Sequence, residues 1–313
     1  MAIMISPMTP GFAAEIGDVD LSQPLTPSEV DAIKQAFWDY AVLIFPDQHL
    51  SEEDHLTFAR CFGPLETNPL SFDKDVQFRL LPELIDISNF NERNEIWGEQ
   101  SRKRLFNLGN RLWHTDSSFK YLPARASLLY ALTVAPIGGH TEFADLRAAY
   151  AALSEDKKQQ LNGLVAEHAL AYSRAKTGFD DFTAGERTKL PPVPQVVVRT
   201  IPETGRKSLY IASHAGRILG MPEEQSRALI DELITHATQR QFVYTHRWRV
   251  HDLVMWDNRC TMHHGTGFDD LRWTREMHRA TVSDIANTCE QEGLAIPSVQ
   301  HSTPQENDYV RNA

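Results

Sequence analysis

Short apolar runs of strand length, divided by turns that carry Gly or Pro, constrain the fold of this chain more than any other feature. Helices do not alternate with these runs, which argues against a doubly wound parallel sheet and for an antiparallel β core with helices outside it. A jelly roll fits this pattern, because it closes two sheets around a mouth that can hold a metal ion. We therefore expect a mainly β fold with flanking helices, and we predict strands at 41–45, 84–87, 127–134, 196–200, 208–211, 242–244, 253–256 and 277–282.

Helices are predicted at five places. The first begins at Thr26, a hydroxyl N-cap, with Pro27 at the first helical position and Glu29 in the first turn. Apolar residues then recur at helical spacing. A second helix begins at Ser51 and ends before Gly63. Three more are predicted at 146–152, 155–164 and 223–236.

The chain shows no internal repeat and no segment that resembles an interdomain linker. We expect a single domain over residues 1–284. Residues 175–195 are polar and rich in Pro, which is typical of a long surface loop or lid inside a domain. After Asp284 the sequence is polar and without pattern, so residues 285–313 are expected to be a C-terminal extension or a disordered end.

Charge and composition limit the partners of this protein. The formal net charge is −11 at pH 7, whereas a broad nucleic-acid surface needs clustered Lys and Arg. No apolar stretch approaches the ~20 residues that span a bilayer, and the N-terminus does not resemble a signal peptide. The cysteines Cys61, Cys260 and Cys289 are too few and too scattered for a disulfide framework. We expect a cytoplasmic protein that binds neither nucleic acid nor membranes.

The triplet at 114–116 is a candidate metal-binding motif. On a strand, residues two apart point to the same face, so His114 and Asp116 would both reach one ion. The triplet alone proves little, because a chain of this composition contains roughly one by chance. A second triplet at 140–142, with His140 and Glu142, fits the looser His-x-acid form.

A block near the C-terminal end adds an imidazole and a guanidinium. The strand at 253–256 is followed by a turn and then by His263, and Arg275 precedes the closing strand. Two imidazoles and one carboxylate supply three ligands on one face of Fe(II), which leaves three positions for a chelating 2-oxo acid and O2. The planar fork of Arg275 matches the far carboxylate of that acid in a bidentate geometry that Lys lacks. The order of these parts indicates an oxygenase.

Several short segments form an ordered set of motifs: 112–119 (LWHTDSSF), 138–143 (GGHTEF), 145–150 (DLRAAY), 211–215 (IASHA), 241–248 (QFVYTHRW), 256–263 (WDNRCTMH) and 275–281 (REMHRAT). Together they strongly resemble the Fe(II)/2-oxoglutarate-dependent dioxygenases of the TauD/TfdA family. The similarity extends from about residue 21 to about residue 284, and it is closer to the 2,4-dichlorophenoxyacetate branch than to the taurine branch. The core is therefore expected to be the cupin-like, double-stranded β-helix form of the jelly roll.

The resemblance implies roles for particular residues. His114, Asp116 and His263 would bind Fe(II), O2 would be a co-substrate, and 2-oxoglutarate would have its C5 carboxylate held by Thr141 and Arg275. Family members usually place this arginine eleven residues after the distal histidine, and in this chain a threonine occupies that offset. A loop one residue longer at 267–273 accounts for the difference, so we keep Arg275. The alternatives are Arg272 as the arginine, or His264 as the ligand.

The resemblance also implies a small anionic substrate. Arg279 matches the residue that binds the anionic group of the substrate, with His214 and His246 as possible helpers. We expect loops that include 68–108, with Lys74 and Asn107, to form the rest of the substrate pocket. Because relatives commonly self-associate, we expect a homo-oligomer.

We therefore expect a dioxygenase that hydroxylates a small carboxylate and releases succinate and CO2. An aryloxyalkanoate substrate would undergo ether cleavage to a phenol and a 2-oxo acid; the alternatives are a natural organic acid, an amino acid or a sulfonate. Halogenation is disfavoured, because a carboxylate, Asp116, occupies the position where halogenating relatives need a small residue. The other classes are a Zn(II)-dependent hydrolase and a catalytically silent jelly-roll binding protein. The hydrolase has no use for a carboxylate pocket made by Thr141 and Arg275, and the binding protein would not need all three metal ligands intact.

Overall fold

Strands dominate the computed structural model, which describes residues 3–67, 79–91 and 93–296. The strands are β1 (Met4–Thr9), β2 (Ala13–Gly17), β3 (Val42–Phe45), β4 (Leu84–Asp86), β5 (Ala124–Thr133), β6 (Thr141–Asp145), β7 (Val165–His168), β8 (Val193–Val196), β9 (Val198–Thr200), β10 (Lys207–Leu209), β11 (Ala215–Ile218), β12 (Val243–His246), β13 (Leu253–Asp257), β14 (Thr261–Gly265) and β15 (Glu276–Ser283). The α-helices are α1 (Pro27–Tyr40), α2 (Glu52–Arg60), α3 (Arg102–Asn107), α4 (Leu146–Ala151), α5 (Glu155–Leu161), α6 (Leu170–Ala175), α7 (Ala184–Lys189), α8 (Glu223–Ala237) and α9 (Thr288–Gln291).

Two sheets form the centre of the fold. The large sheet has seven strands in the order β1-β2-β3-β13-β5-β15-β4, and the small sheet has the order β12-β6-β14. Neighbouring strands pair antiparallel except for β2 and β3, which run parallel. Strands from distant parts of the chain lie side by side, as β13 does between β3 and β5. The predicted mainly β, jelly-roll architecture is therefore confirmed.

The two faces of the large sheet contact different layers, because successive side chains of a strand point to opposite faces. In β3, Val42 and Ile44 join an apolar cluster with Phe143 of the small sheet, whereas Leu43 and Phe45 pack in the cluster that includes α1 and α2. The small sheet has its own outer layer, in which α4 and α8 pack against it and its neighbouring strands. A cavity is lined by the first residue of β6, Thr141, and by His263 and Gly265 of β14.

Local sequence explains why α1 begins and ends where it does. Thr26 Oγ1 accepts a hydrogen bond from the amide of Glu29, and the Glu29 carboxylate accepts one from the amide of Thr26, which together form a capping box. The helix buries Ile33 and Phe37 on one face. It ends at Ala41, whose φ of 65° takes the left-handed conformation common after helices.

Most predicted elements are present, with three corrections. The helix predicted at 155–164 ends at Leu161, because Gly163 has a φ of 73° and β7 begins at Val165. The strand predicted at 196–200 is divided into β8 and β9. The loop predicted at 175–195 contains the short helix α7 and the strand β8, and α7 has its own capping box at Thr183 and Glu186.

Residues that follow Asp284, in the segment expected to be an extension, pack against β8. There Thr288 of α9 donates from its hydroxyl to Gln195 Oε1 at 2.6 Å and accepts from the amide of Val196 at 2.9 Å. Residues 297–313, and the segment 68–78 with Lys74, lie outside the described residues. Among the described residues, no helix combines the length and apolar character needed to span a membrane.

Candidate metal centre and active site

The predicted metal-binding residues meet where β14 passes the segment before β5. His114 and His263 form an isolated antiparallel bridge with backbone hydrogen bonds of 2.9 and 2.8 Å. The strand assumed for the 114–116 triplet is absent: only His114 pairs, and Asp116 lies in the turn that follows, where Ser117 has a φ of 54°. The turn, rather than strand alternation, brings Asp116 next to both histidines.

The three side chains form a compact, buried cluster. One ligand atom from each of His114, Asp116 and His263 lies within 4.8 Å of the other two. The Nε2 atoms of His114 and His263 each lie 3.8 Å from an oxygen of Asp116. Two imidazoles and a carboxylate that converge in this way are the donor set that non-haem Fe(II) sites use.

Hydrogen bonds hold two members of the cluster, His114 and Asp116, in place. His114 Nδ1 lies 2.7 Å from the carbonyl of Leu112, which leaves Nε2 to face Asp116. Ser127 donates to Asp116 Oδ2 at 2.7 Å. Asn258 joins this support, because its Oδ1 accepts from the amide of Asp116 at 3.2 Å and its Nδ2 donates to Ser127 Oγ at 2.9 Å. Trp256 in turn orients the side chain of Asn258, since its indole Nε1 donates to Asn258 Oδ1 at 3.0 Å.

The protonation states of the cluster suit metal binding. Burial lowers the pKa of His114 to about 4 and lowers the pKa of His263 well below its usual value. Burial alone would raise the pKa of Asp116, but the positive charge of Arg279, with the hydrogen bond from Ser127, opposes it, and that pKa is about 2. Neutral imidazoles and an ionised carboxylate are the forms that ligate metals. These residues therefore fit a divalent ion.

The residues predicted to hold 2-oxoglutarate line one cavity together with His114 and His263. Thr141 begins β6, and its Oγ1 accepts a hydrogen bond from the indole of Trp248 at 2.9 Å, so its own proton is free to donate. Arg275 packs beside Gly139, where a Cβ would lie 3.6 Å from its Nε. No carboxylate of the described residues lies within salt-bridge distance of Arg275, and burial lowers its pKa to about 10. An unpaired guanidinium beside a free hydroxyl fits a carboxylate.

The alternatives considered for these positions are engaged elsewhere. His264 Nε2 lies 3.0 Å from Glu142 Oε2, and its ring packs against Trp113. Glu142 also accepts from Thr245 at 2.8 Å. Arg272 stacks over the ring of its neighbour Trp273 rather than lining the cavity, as Arg275 does.

The three predicted substrate residues lie at different distances from the cluster. Arg279 lines the cavity and donates from Nη1 to Asp116 Oδ1. His214 is buried behind His114, with ring centroids 6.0 Å apart, and its Nδ1 has no partner. His246 is buried outside the cavity lining, where its Nε2 lies 3.2 Å from Asp252 Oδ2.

A buried two-histidine, one-carboxylate cluster at the mouth of a two-sheet β core, beside a cavity with an unpaired arginine, defines a 2-oxoglutarate-dependent non-haem iron dioxygenase. The model of the taurine catabolism dioxygenase TauD, TfdA family matches residues 4–281. The chain belongs to this family, as its motifs predicted, and its cofactor and co-substrates are Fe(II), 2-oxoglutarate and O2.

Individual relatives agree with this assignment. The chain is 43% identical over 286 residues to the alpha-ketoglutarate-dependent 2,4-dichlorophenoxyacetate dioxygenase of Cupriavidus pinatubonensis, which covers 91% of this chain and 99% of the relative. It is 37% identical over 294 residues to the (S)-phenoxypropionate/alpha-ketoglutarate-dioxygenase of Sphingobium herbicidovorans, which covers 91% and 97%. Among solved structures, AAD-2 in complex with Mn(II) and N-oxalylglycine superposes with a TM-score of 0.84 at 45% identity, covering 92% and 99%.

Proposed function

We propose that this dioxygenase hydroxylates the carbon that bears the ether oxygen of a small aryloxyalkanoate. The observation that carries the proposal is a single cavity in which Arg275 and Arg279 flank the histidine–aspartate cluster. Its other walls are largely apolar, with Ile87, Leu108, Leu129 and Phe268 among them. Arg104 and Arg111 also line the cavity, but both pair with Asp270. Arg275 and Arg279 are therefore the cations that suit one 2-oxoglutarate and one aryl carboxylate. The relatives described above carry names of enzymes that act on such substrates.

In this proposal His114, Asp116 and His263 hold Fe(II). When bound, Fe(II) and 2-oxoglutarate supply the oxidative decarboxylation that activates O2 for hydroxylation. The protein keeps both imidazoles neutral by burial, and Ser127 and Asn258 orient the carboxylate of Asp116. These residues set the ligand geometry before any substrate arrives.

Thr141 and Arg275 are proposed to hold the C5 carboxylate of 2-oxoglutarate. Thr141 donates its hydroxyl proton because its oxygen already accepts from Trp248. Arg275 contributes a guanidinium that no described carboxylate neutralises. A charge-assisted pair of this kind is worth roughly 1.5–3 kcal/mol.

Arg279 is proposed to bind the carboxylate of the substrate. Its guanidinium donates to Asp116, and it would be released to a substrate carboxylate if Asp116 held Fe(II). His214 supports the site from behind His114, whereas His246 acts indirectly, through its contact with Trp248. Hydroxylation next to an aryl ether oxygen yields a hemiacetal, which collapses to a phenol and a 2-oxo acid.

An anaerobic titration with Fe(II) and 2-oxoglutarate, followed by a substrate panel in air, tests the proposal. We expect succinate release to rise severalfold with phenoxyacetate or 2-phenoxypropionate, with phenol formed in equal amount. The panel includes a natural organic acid, an amino acid and a sulfonate as alternatives. Succinate release that responds only to one of these would contradict the aryloxyalkanoate assignment. Hydrolysis without 2-oxoglutarate consumption would contradict the dioxygenase chemistry itself.

We also infer that the protein acts in the cytoplasm as a homo-oligomer and without nucleic acid. All three cysteines are free thiols, as a reducing compartment requires, and the net charge is −11. Self-association is supported by β1, the edge strand of the large sheet, which exposes Met4 and Met8. Sedimentation velocity tests this inference, and a single species of 35.5 kDa would contradict it.

A further inference from the structure

Arg174 is a buried arginine that the proposed chemistry does not use. It lies near the end of α6 and is only 5% exposed. Its guanidinium passes across the 3₁₀ turn Leu108–Arg111, which leads directly to His114. Glycine at position 109 makes room for it, since a Cβ there would lie 2.0 Å from Arg174 Nη1. The chain therefore brings this side chain against the segment that carries a metal ligand.

The guanidinium of Arg174 has no carboxylate partner among the residues that the structure describes. Its Nη2 donates to Asn110 Oδ1 at 3.3 Å and its Nη1 to Ser173 Oγ at 3.4 Å, both long and both neutral. Its Nε has no acceptor at all. The remaining contact is the ring of Phe106, 4.4 Å from the guanidinium carbon. A buried cation without an anionic partner lowers the stability of the folded protein, and a bound anion would offset this loss.

Other buried arginines have the carboxylate partner that Arg174 lacks. Arg147, Arg199 and Arg259 each pair with an aspartate at 2.9, 2.8 and 2.8 Å. Their charges are neutralised within the protein. Arg174 differs from them in that respect, so its partner is expected to come from outside these residues.

Arg174 is linked to the active-site cavity by its hydrogen bond to Asn110. Burial and the charge of Arg279 lower the pKa of Arg174 to about 10, while Asp116 partly compensates. Asn110, which Arg174 contacts, lines the active-site cavity. The Nε of Arg279 is also buried without an acceptor. Each guanidinium therefore keeps a buried N–H without an acceptor, and Arg279 would lose its carboxylate partner if a metal ion bound Asp116.

We propose that Arg174 and Arg279 together form the site for the substrate carboxylate, with Arg174 as the second cation on the α6 side of the cavity. This inference rests on the proposed function, because it names the group that holds the anionic end of that substrate. Two guanidiniums provide donors for both oxygens of a carboxylate. The expected ligand is a carboxylate with an aryl group, and its neutral amide would bind poorly.

Calorimetric titration of phenoxyacetate into the anaerobic Fe(II)–2-oxoglutarate enzyme tests the proposal. Arg174→Met should raise the Kd for phenoxyacetate about 10- to 100-fold, whereas the Kd for phenoxyacetamide and for 2-oxoglutarate should not change. The matched control is Arg102→Met, which removes an exposed arginine that already pairs with Asp181 and Glu186. This control should bind phenoxyacetate like the unchanged enzyme.

A merely structural role for Arg174 would weaken phenoxyacetate and phenoxyacetamide by the same factor, and that result would overturn the proposal. An unchanged Kd for phenoxyacetate would overturn it too, as would failure of the unchanged enzyme to bind phenoxyacetate. If Arg174→Met does not fold, Arg174→Gln replaces it under the same criteria. Tight phenoxyacetate binding that depends on Arg174 but gives no phenol would support the anion site while contradicting the proposed reaction.

Discussion

At the scale of single residues, the sequence predicted the cluster, whereas its support appeared only in the structure. His114, Asp116 and His263 were recognisable because their types and order match a metal site. Ser127 and Asn258 lie 11 and 142 residues from Asp116 and hold it through hydrogen bonds. Nothing in a short motif predicts which distant polar side chain will meet a ligand, because that depends on strand register.

Asn258 provides a test of this support. Replacing Asn258 with Ala removes the acceptor for the Asp116 amide and the donor to Ser127 Oγ, so the affinity for Fe(II) should fall about 10- to 100-fold. An anaerobic Fe(II) titration measures the change, with exposed Asn162→Ala as the control. Equal affinity in both variants would show that Asp116 is held without Asn258.

Trp248 provides a second residue-scale test. Its indole donates to Thr141 Oγ1, so Trp248→Phe leaves that oxygen free and lets the hydroxyl rotate. We expect the KM for 2-oxoglutarate to rise about fivefold, which corresponds to ~1 kcal/mol for one hydrogen bond, with kcat nearly unchanged. Steady-state kinetics at saturating substrate measure both constants, and Trp38→Phe in α1 is the control. A fall in kcat without a change in KM would contradict this orienting role.

At the scale of elements, prediction succeeded where local signals were strong. The capping residues Thr26 and Ser51 marked the starts of α1 and α2, and the apolar run at 253–256 marked β13. The strands β6 and β14 were not predicted, although they carry Thr141 and His263. Each mixes polar and apolar residues, as TEFAD and TMHHG, so both lack the apolar run that identifies a strand.

The capping box of α1 makes a quantitative prediction. Thr26→Ala removes the side-chain acceptor for the Glu29 amide and should lower the free energy of unfolding by about 1 kcal/mol. Urea denaturation followed by circular dichroism measures the loss. Activity with 2-oxoglutarate should stay at the level of the unchanged enzyme, because α1 packs on the face of the large sheet away from the cavity. An unchanged free energy of unfolding would mean that water takes the place of the Thr26 hydroxyl as acceptor for the Glu29 amide.

At the scale of the whole molecule, a histidine buried between a sheet and its outer helices couples the stability of the fold to pH. His55 of α2 lies against β5, where its Nε2 is 3.2 Å from the carbonyl of Leu128. Burial, with a contribution from His278, lowers the pKa of His55 to about 3. In the unfolded chain His55 takes up a proton with a pKa near 6.5, whereas in the native protein it stays neutral at that pH. Stability is therefore lost as the pH falls between these values.

His55→Gln tests this coupling, because glutamine keeps a donor for the Leu128 carbonyl but does not titrate. The free energy of unfolding of the unchanged protein should fall more steeply between pH 6 and pH 4, by about 1.4 kcal/mol per pH unit relative to the variant. Urea unfolding at several pH values measures both slopes. Parallel slopes would mean that His55 is protonated in the native protein.

A crystal structure of the protein with Mn(II) and 2-oxoglutarate, prepared without O2, tests the central claim most directly. We predict one metal ion bound by Nε2 of His114, Nε2 of His263 and the carboxylate of Asp116, with the C5 carboxylate of 2-oxoglutarate on Thr141 and Arg275. A metal ion bound elsewhere, or 2-oxoglutarate with its C5 carboxylate away from Arg275, would contradict the account.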